Sequence, residues 1–163
     1  MREFFLCLLY YAAIGVVSQL VGTALPREWF HPEKFPYRPY RWEKDGAIYQ
    51  KIGIQHWKDH VPDMSKLDKR MVRKAIPMQA DSARIYRLVQ ETCVAETVHW
   101  LLCVAGLWGL RLFGGWPGVL LWLFYALFLN VTFILIQRYN RPRLLRLYRS
   151  LQRREMRKKA CES

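Results

Sequence analysis

Long apolar runs free of charged side chains alternate with basic stretches along this chain, and the runs have the length of membrane spans. Phe4 to Leu25 is 22 residues without a charge. At about 1.5 Å per residue such a helix covers roughly 33 Å, enough to cross the hydrocarbon layer of a bilayer. Thr92 to Leu110 is a second run, interrupted by Glu96 and His99, and Trp116 to Ile136 is a third, 21 residues without a charge. Between these two lies Arg111-Leu-Phe-Gly-Gly-Trp-Pro-Gly118, whose glycines and proline suit a tight reversal. The pattern predicts an all-α integral membrane protein with three transmembrane helices: one in residues 1–25, then a helical hairpin in residues 92–137. The first run could also be read as a secretory leader, with Gly22 and Ala24 at a cleavage site. Its long apolar stretch, and Arg2 as the one cation before it, favour an anchor.

The segments between and after the spans carry their own pattern. Residues 26–91 form an interfacial segment whose first half holds Trp29, Phe30, Phe35, Tyr37, Tyr40, Trp42, Tyr49 and Trp57 among Arg and Lys, a mixture that favours the headgroup layer. Pro26, Pro32, Pro36 and Pro39 are expected to keep residues 26–39 extended. Met64, Leu67 and Met71 recur at helical spacing and predict a short amphipathic helix on the membrane surface. A further helix is expected to start at Asp81 or Ser82, both good N-caps, and to run through Ile85, Leu88 and Val89 into the second span. Residues 138–163 form a basic tail. Arg141 to Lys159 reads as a helix with Leu144, Leu145, Leu147, Tyr148 and Leu151, suited to adhesion on anionic lipid.

Composition sharpens this picture. The chain has 163 residues and 26 Lys plus Arg against 13 Asp plus Glu, a net charge of +13, yet it is 52% hydrophobic and 15% aromatic. Such aromatic and aliphatic content excludes a disordered chain. Of the basic residues, 14 lie in residues 26–91 and 10 in residues 138–163. Three spans put both segments on one face, and the positive-inside tendency makes that face cytoplasmic, with Met1 and the Gly114-Gly115 turn outside. Four spans would split the basic segments across the bilayer. Topology thus accounts for the charge, and nucleic-acid binding is not expected. Cys7, Cys93, Cys103 and Cys161 show no CxxC spacing, so neither a zinc ribbon nor a disulfide framework follows. No Gly-rich phosphate loop is present, and no cofactor is expected.

Candidate chemistry concentrates where ionisable groups enter the second span, because such groups are costly in hydrocarbon. Helical geometry puts Glu91, His99 and Glu96 at about 0°, 80° and 140° around one axis, so they share a broad face. Counting outward from the Gly114-Gly115 turn, His99 and Asn130 come level, and Gln19 of the first span lies at a similar depth. The same count sets Glu91 and Glu96 near Arg138 and Arg141. The blander meaning of these groups is interhelical glue. The sharper one is a general-base pair, in which His99 takes a proton from a hydroxyl while Glu96 orients it. Where the third span emerges, Gln137-Arg138-Tyr139-Asn140-Arg141-Pro142-Arg143-Leu144 offers guanidinium forks and amides. These either fix topology or grip a phosphate. His56, Asp59, His60 and Asp63 have loosely metal-like spacing but lack HExxH, and Pro62 argues against a helix continuing past His60. An interfacial turn with Trp57 anchored and Lys58 on a phosphate is the preferred reading there, with no metal.

These motifs are familiar as a set. ETxxAExxHW at Glu91 to Trp100, then Asn130, then QRYNRPRL at Gln137 to Leu144 resemble the glycosyl-diaponeurosporenoate acyltransferase family of the staphyloxanthin carotenoid pathway. Trp57 and Lys58, followed by Asp63, resemble that family's central cytoplasmic motif, whereas His56 and His60 match no position in it. Length, the first apolar run, the hairpin and the basic tail also fit. The resemblance implies transfer of a fatty acyl group to a sugar hydroxyl of a membrane-bound glycosylated terpenoid. On this reading an acyl thioester would set its phosphate-bearing end against Arg138, Arg141, Arg143 and Lys58, and its chain would run between the spans toward His99. Asn130 or Gln137 would donate to the developing oxyanion. Glu91, Trp100, Asn140, Trp57 and Asp63 complete the expected substrate-binding set. The competing class is a non-catalytic membrane protein held on anionic lipid by its basic face.

Overall fold

The computed structural model describes residues 1–58 and 81–162, and every regular element among them is helical. The helices are α1 (Arg2–Ala24), α2 (Ala47–Lys51), α3 (Ile54–Trp57), α4 (Ser82–Gly106), α5 (Gly109–Leu112), α6 (Gly115–Ala126) and α7 (Thr132–Glu162). A π-helical turn, Leu127–Val131, joins α6 to α7 without a break. Three helical stretches are long and apolar enough to cross a membrane: Arg2–Ala24, Ser82–Leu112 and Gly115–Cys161. The chain divides into two compact units, Met1–Trp29 with Val94–Gln137, and Phe30–Cys93 with Arg138–Ser163. The expected surface helix at Met64, Leu67 and Met71 lies outside the described residues.

In the first unit α1 ends where Pro26 forbids helical geometry to the residue before it, and Leu25 is extended at φ −62°, ψ 131°. A cluster of Cys7, Tyr11, Leu102 and Tyr125 forms the core, with the Tyr11 and Tyr125 rings stacked 4.2 Å apart. The last turn of α4 tightens, Leu107 N donating to Val104 O (3.1 Å) and Trp108 N to Ala105 O (3.0 Å). Side chains of neighbouring helices add bonds to the carbonyls of this end. Trp122 Nε1 donates to Cys103 O (3.2 Å), Tyr10 Oη to Ala105 O (2.8 Å) and Tyr11 Oη to Gly106 O (3.3 Å). The hairpin reversal is longer than the sequence suggested, because α4 stops at Gly106 and the short α5 intervenes. Gly115 makes the final turn at φ +69°, a conformation open to glycine. Phe5, Leu9, Val16 and Leu20 of α1, Leu101 and Val104 of α4, and Leu120, Phe124 and Phe128 around α6 stand exposed. An outer surface of this kind belongs in lipid.

In the second unit, residues 26–39 correct the expectation of an extended strand. Lys34 N donates to His31 O (3.0 Å) around Pro32, and Tyr37 N to Lys34 O (2.9 Å), so the segment folds in successive turns. The fixed φ of proline suits the second position of a turn as well as it suits an extended chain. The aromatics of this segment also divide. Trp29, Phe35 and Trp42 are exposed, whereas Phe30 and Tyr49 are buried. Helix α4 begins as anticipated, with Asp81 Oδ1 accepting from Arg84 N (2.9 Å). Ser82 N and Oγ both donate to the Glu155 carboxylate (2.9 and 2.6 Å). The basic tail is helical, and it continues the helix of the third span through Pro142.

Candidate active site

His99 of α4 and Asn130 of the π-helical turn, level by the sequence count, meet in the first unit with His99 Nδ1 3.0 Å from Asn130 Oδ1. The wide turn explains why Asn130 is oriented. It opens the helical ladder, and side chains bond the carbonyls there: Asn130 Nδ2 donates to Tyr125 O (3.0 Å), and Thr132 Oγ1 to Leu127 O (3.1 Å). A carbonyl only accepts, so the atom of Asn130 facing Tyr125 is its NH₂ and the atom facing His99 is its oxygen. Nδ1 of His99 therefore carries a proton, and in the neutral form of the ring the lone pair is on Nε2. Phe133 stacks on the imidazole at 4.8 Å and 8°, fixing its plane. Three residues before His99 on the same helix, Glu96 is 2% exposed, and Asn130 is 1% exposed. Gln19 is half-buried on α1, and Trp100 stands exposed on α4. Gln137 is buried, and its side-chain oxygen has no hydrogen-bond partner.

The arginines of the QRYNRPRL stretch belong to the second unit, and two of them are built into it. Arg138 forms a fork on buried Glu43: its Nε donates to Oε1 and its Nη2 to Oε2 (3.2 Å), while its guanidinium lies 4.6 Å over the Tyr40 ring. Tyr49 Oη also donates to Oε1 of Glu43, and Tyr40 N to Oε2 (2.7 Å). Burial by itself would raise the Glu43 carboxyl; the bonds from Arg138, Tyr49 and Tyr40 and the charge of Arg138 outweigh it and hold the carboxyl below its usual range. The Tyr49 hydroxyl is pushed up, first by burial and then by the neighbouring carboxylate. Arg141, 1% exposed, donates to Thr92 Oγ1 (2.9 Å), Thr92 O (3.0 Å) and Tyr37 O (2.7 Å). Arg143 is exposed, with its guanidinium 3.7 Å over Tyr139. Glu91, Asn140 and Lys58 are half-buried, and Trp57 Nε1 donates to Ile52 O (3.2 Å). Asp63, Asp59 and His60 lie outside the described residues. Among those described, no three His, Cys, Asp or Glu side chains gather as a metal cage.

Sequence reasoning passed over Glu43, Tyr49, Thr92 and Tyr125. A signal for Glu43 was present: an acid at the third helical position after Tyr40 can reach back to the preceding backbone N–H, and it does. Nothing in the sequence marked Tyr125, whose contribution is a backbone carbonyl.

Comparison with known proteins agrees with the motifs. The family described as glycosyl-4,4'-diaponeurosporenoate acyltransferase matches residues 26–150. A protein of that name from Staphylococcus aureus strain MRSA252 is 30% identical over 153 residues, covering 92% of this chain and 90% of its own. Those from strains bovine RF122 / ET3-1 and USA300 are 30% and 29% identical over the same shares. No solved structure matches the chain.

Proposed function

The chain belongs to the glycosyl-4,4'-diaponeurosporenoate acyltransferase family, and from that premise we propose that it moves a fatty acyl group from an acyl thioester to a sugar hydroxyl of a glycosylated terpenoid, with His99 as general base. The observation that carries this reading is the fixed tautomer of His99. Its Nδ1–H is committed to Asn130, so Nε2 can accept the hydroxyl proton as the oxygen attacks the thioester carbonyl. The C–O bond forms, the C–S bond breaks, and the proton passes through imidazolium to the leaving thiolate. Glu96, buried three residues earlier on the same helix, is proposed to assist His99 as the imidazolium forms. Direct transfer, with no covalent acyl-enzyme, is the simpler course.

Arg138, Arg141, Arg143 and Lys58 are the cations proposed for the donor's phosphates; Arg138 is held by Glu43 and Arg141 by Thr92. Glu91, Trp100, Asn140, Trp57 and Asp63 remain proposed contacts. The basic segments face the cytoplasm and rest on anionic lipid.

Lipid mass spectrometry of cells with and without the gene tests the reaction. The wild-type gene should add one acyl group to a glycosylated terpenoid, and His99→Ala should abolish that species while inserting normally. Wild-type product levels from His99→Ala would remove His99 from the mechanism, and an unchanged lipid profile with the wild-type gene would remove the reaction itself.

A further inference from the structure

Gln137 is a buried polar group of the first unit whose chemistry the proposed reaction does not yet use. It is 2% exposed, and its Oε1 has no hydrogen-bond partner. Asn130, the same functional group seven residues earlier, has both ends engaged, its NH₂ on Tyr125 O and its oxygen on His99. A buried acceptor without a donor is costly, and hydrocarbon offers no water to relieve it. Methionine or leucine would fill the same space at no such cost. We infer that Oε1 of Gln137 receives a hydroxyl of the acceptor's sugar ring and so orients that ring for acylation.

An amide oxygen only accepts, so its missing partner is an O–H or N–H donor and is neither a phosphate nor an acyl chain. Seven residues bring the helix back to nearly the same side, displaced by about 10 Å along its axis. A single sugar ring with a hydrogen bond at each edge bridges about that distance, given bonds of about 2.8 Å. One hydroxyl then lies at Nε2 of His99 and another at Gln137. The inference rests on the acyltransferase reading. The donor's pantetheine N–H is the other source of the same chemistry, and the test separates the two.

The experiment uses the full chain in lipid nanodiscs, with a glycosylated carotenoid acid as acceptor probe and a long-chain acyl-coenzyme A as donor probe. Each is titrated alone by tryptophan fluorescence and then together for turnover. Gln137→Met should weaken acceptor binding and raise its KM about three- to tenfold. Donor binding should not change, and the melting temperature should not fall. An acceptor lacking the relevant ring hydroxyl should lose the same factor on wild type and nothing further on the variant. Unchanged acceptor binding overturns the inference, as does a loss confined to the donor. A lowered melting temperature overturns it too, since the oxygen would then serve the fold. If wild type neither binds nor acylates the glycolipid, the acyltransferase reading falls instead.

Discussion

Glu43 shows how a single carboxylate organises the second unit. It accepts from Arg138, Tyr49 and the backbone of Tyr40, and its folded proton affinity is depressed. The unfolded chain therefore takes up this proton at a higher pH than the folded one. The stabilisation is full above the ordinary glutamate value of about 4.3 and is lost as pH falls through the depressed one. The melting temperature should drop as the pH is lowered below that point, and Glu43→Gln should flatten this acid limb while costing about 3 kcal/mol at neutral pH. Trp42, stacked near Tyr40 and edge-on to Tyr49, reports the transition by fluorescence. A melt of Glu43→Gln with an unchanged acid limb would refute the assignment. The contrast with His99 explains what the sequence could disclose. Histidine, glutamate and asparagine within apolar runs stand out because hydrocarbon makes them expensive. Glu43 sits among other charges and looks ordinary until Arg138, 95 residues away, closes on it.

At the scale of elements, close approach of backbones limits what the first unit tolerates. A Cβ on Gly109 would lie 2.5 Å from the Tyr11 hydroxyl and 2.8 Å from Cζ. Tyr11 is stacked on Tyr125 and cannot retreat cheaply. Gly109→Ala should therefore lower stability by about 2 kcal/mol, read as a lower melting temperature in micelles. An unshifted melt would show that α1 and α5 pack less tightly than described. The long helices were legible because run length and charge content decide a span almost alone. The start of α4 was legible because Asp81 and Ser82 precede an apolar periodicity. The short α5 and the π-helical turn were not, since both depend on which neighbour receives a carbonyl and not on local preference. The turns of residues 26–39 were misjudged for a related reason: proline fixes one dihedral angle and leaves the hydrogen-bonded partner to decide between turn and extended chain.

At the scale of the molecule, the three stretches among the described residues that are long and apolar enough to cross predict that the start of the first and the end of the third lie on opposite sides of the bilayer. The 24 of the 26 basic residues that lie in residues 26–91 and 138–163 predict a cytoplasmic face for both segments. A reporter enzyme fused after Ser163 should be active only in the cytoplasm, and a cysteine replacing Gly114 should react with an impermeant reagent added to intact cells. The reverse labelling would invert the topology and the side on which the acyl donor is met. At the π-helical turn insertion and chemistry part company. The carbonyl of Tyr125, just before it, accepts from the same asparagine whose oxygen faces Nδ1 of His99. An apolar residue at Asn130 would suit hydrocarbon better than the amide it replaces, so the span should still enter the bilayer while the imidazole loses the group that holds its ring. Membrane insertion is therefore no check on His99: an Asn130→Leu chain is expected in the bilayer in normal amount with that ring unheld.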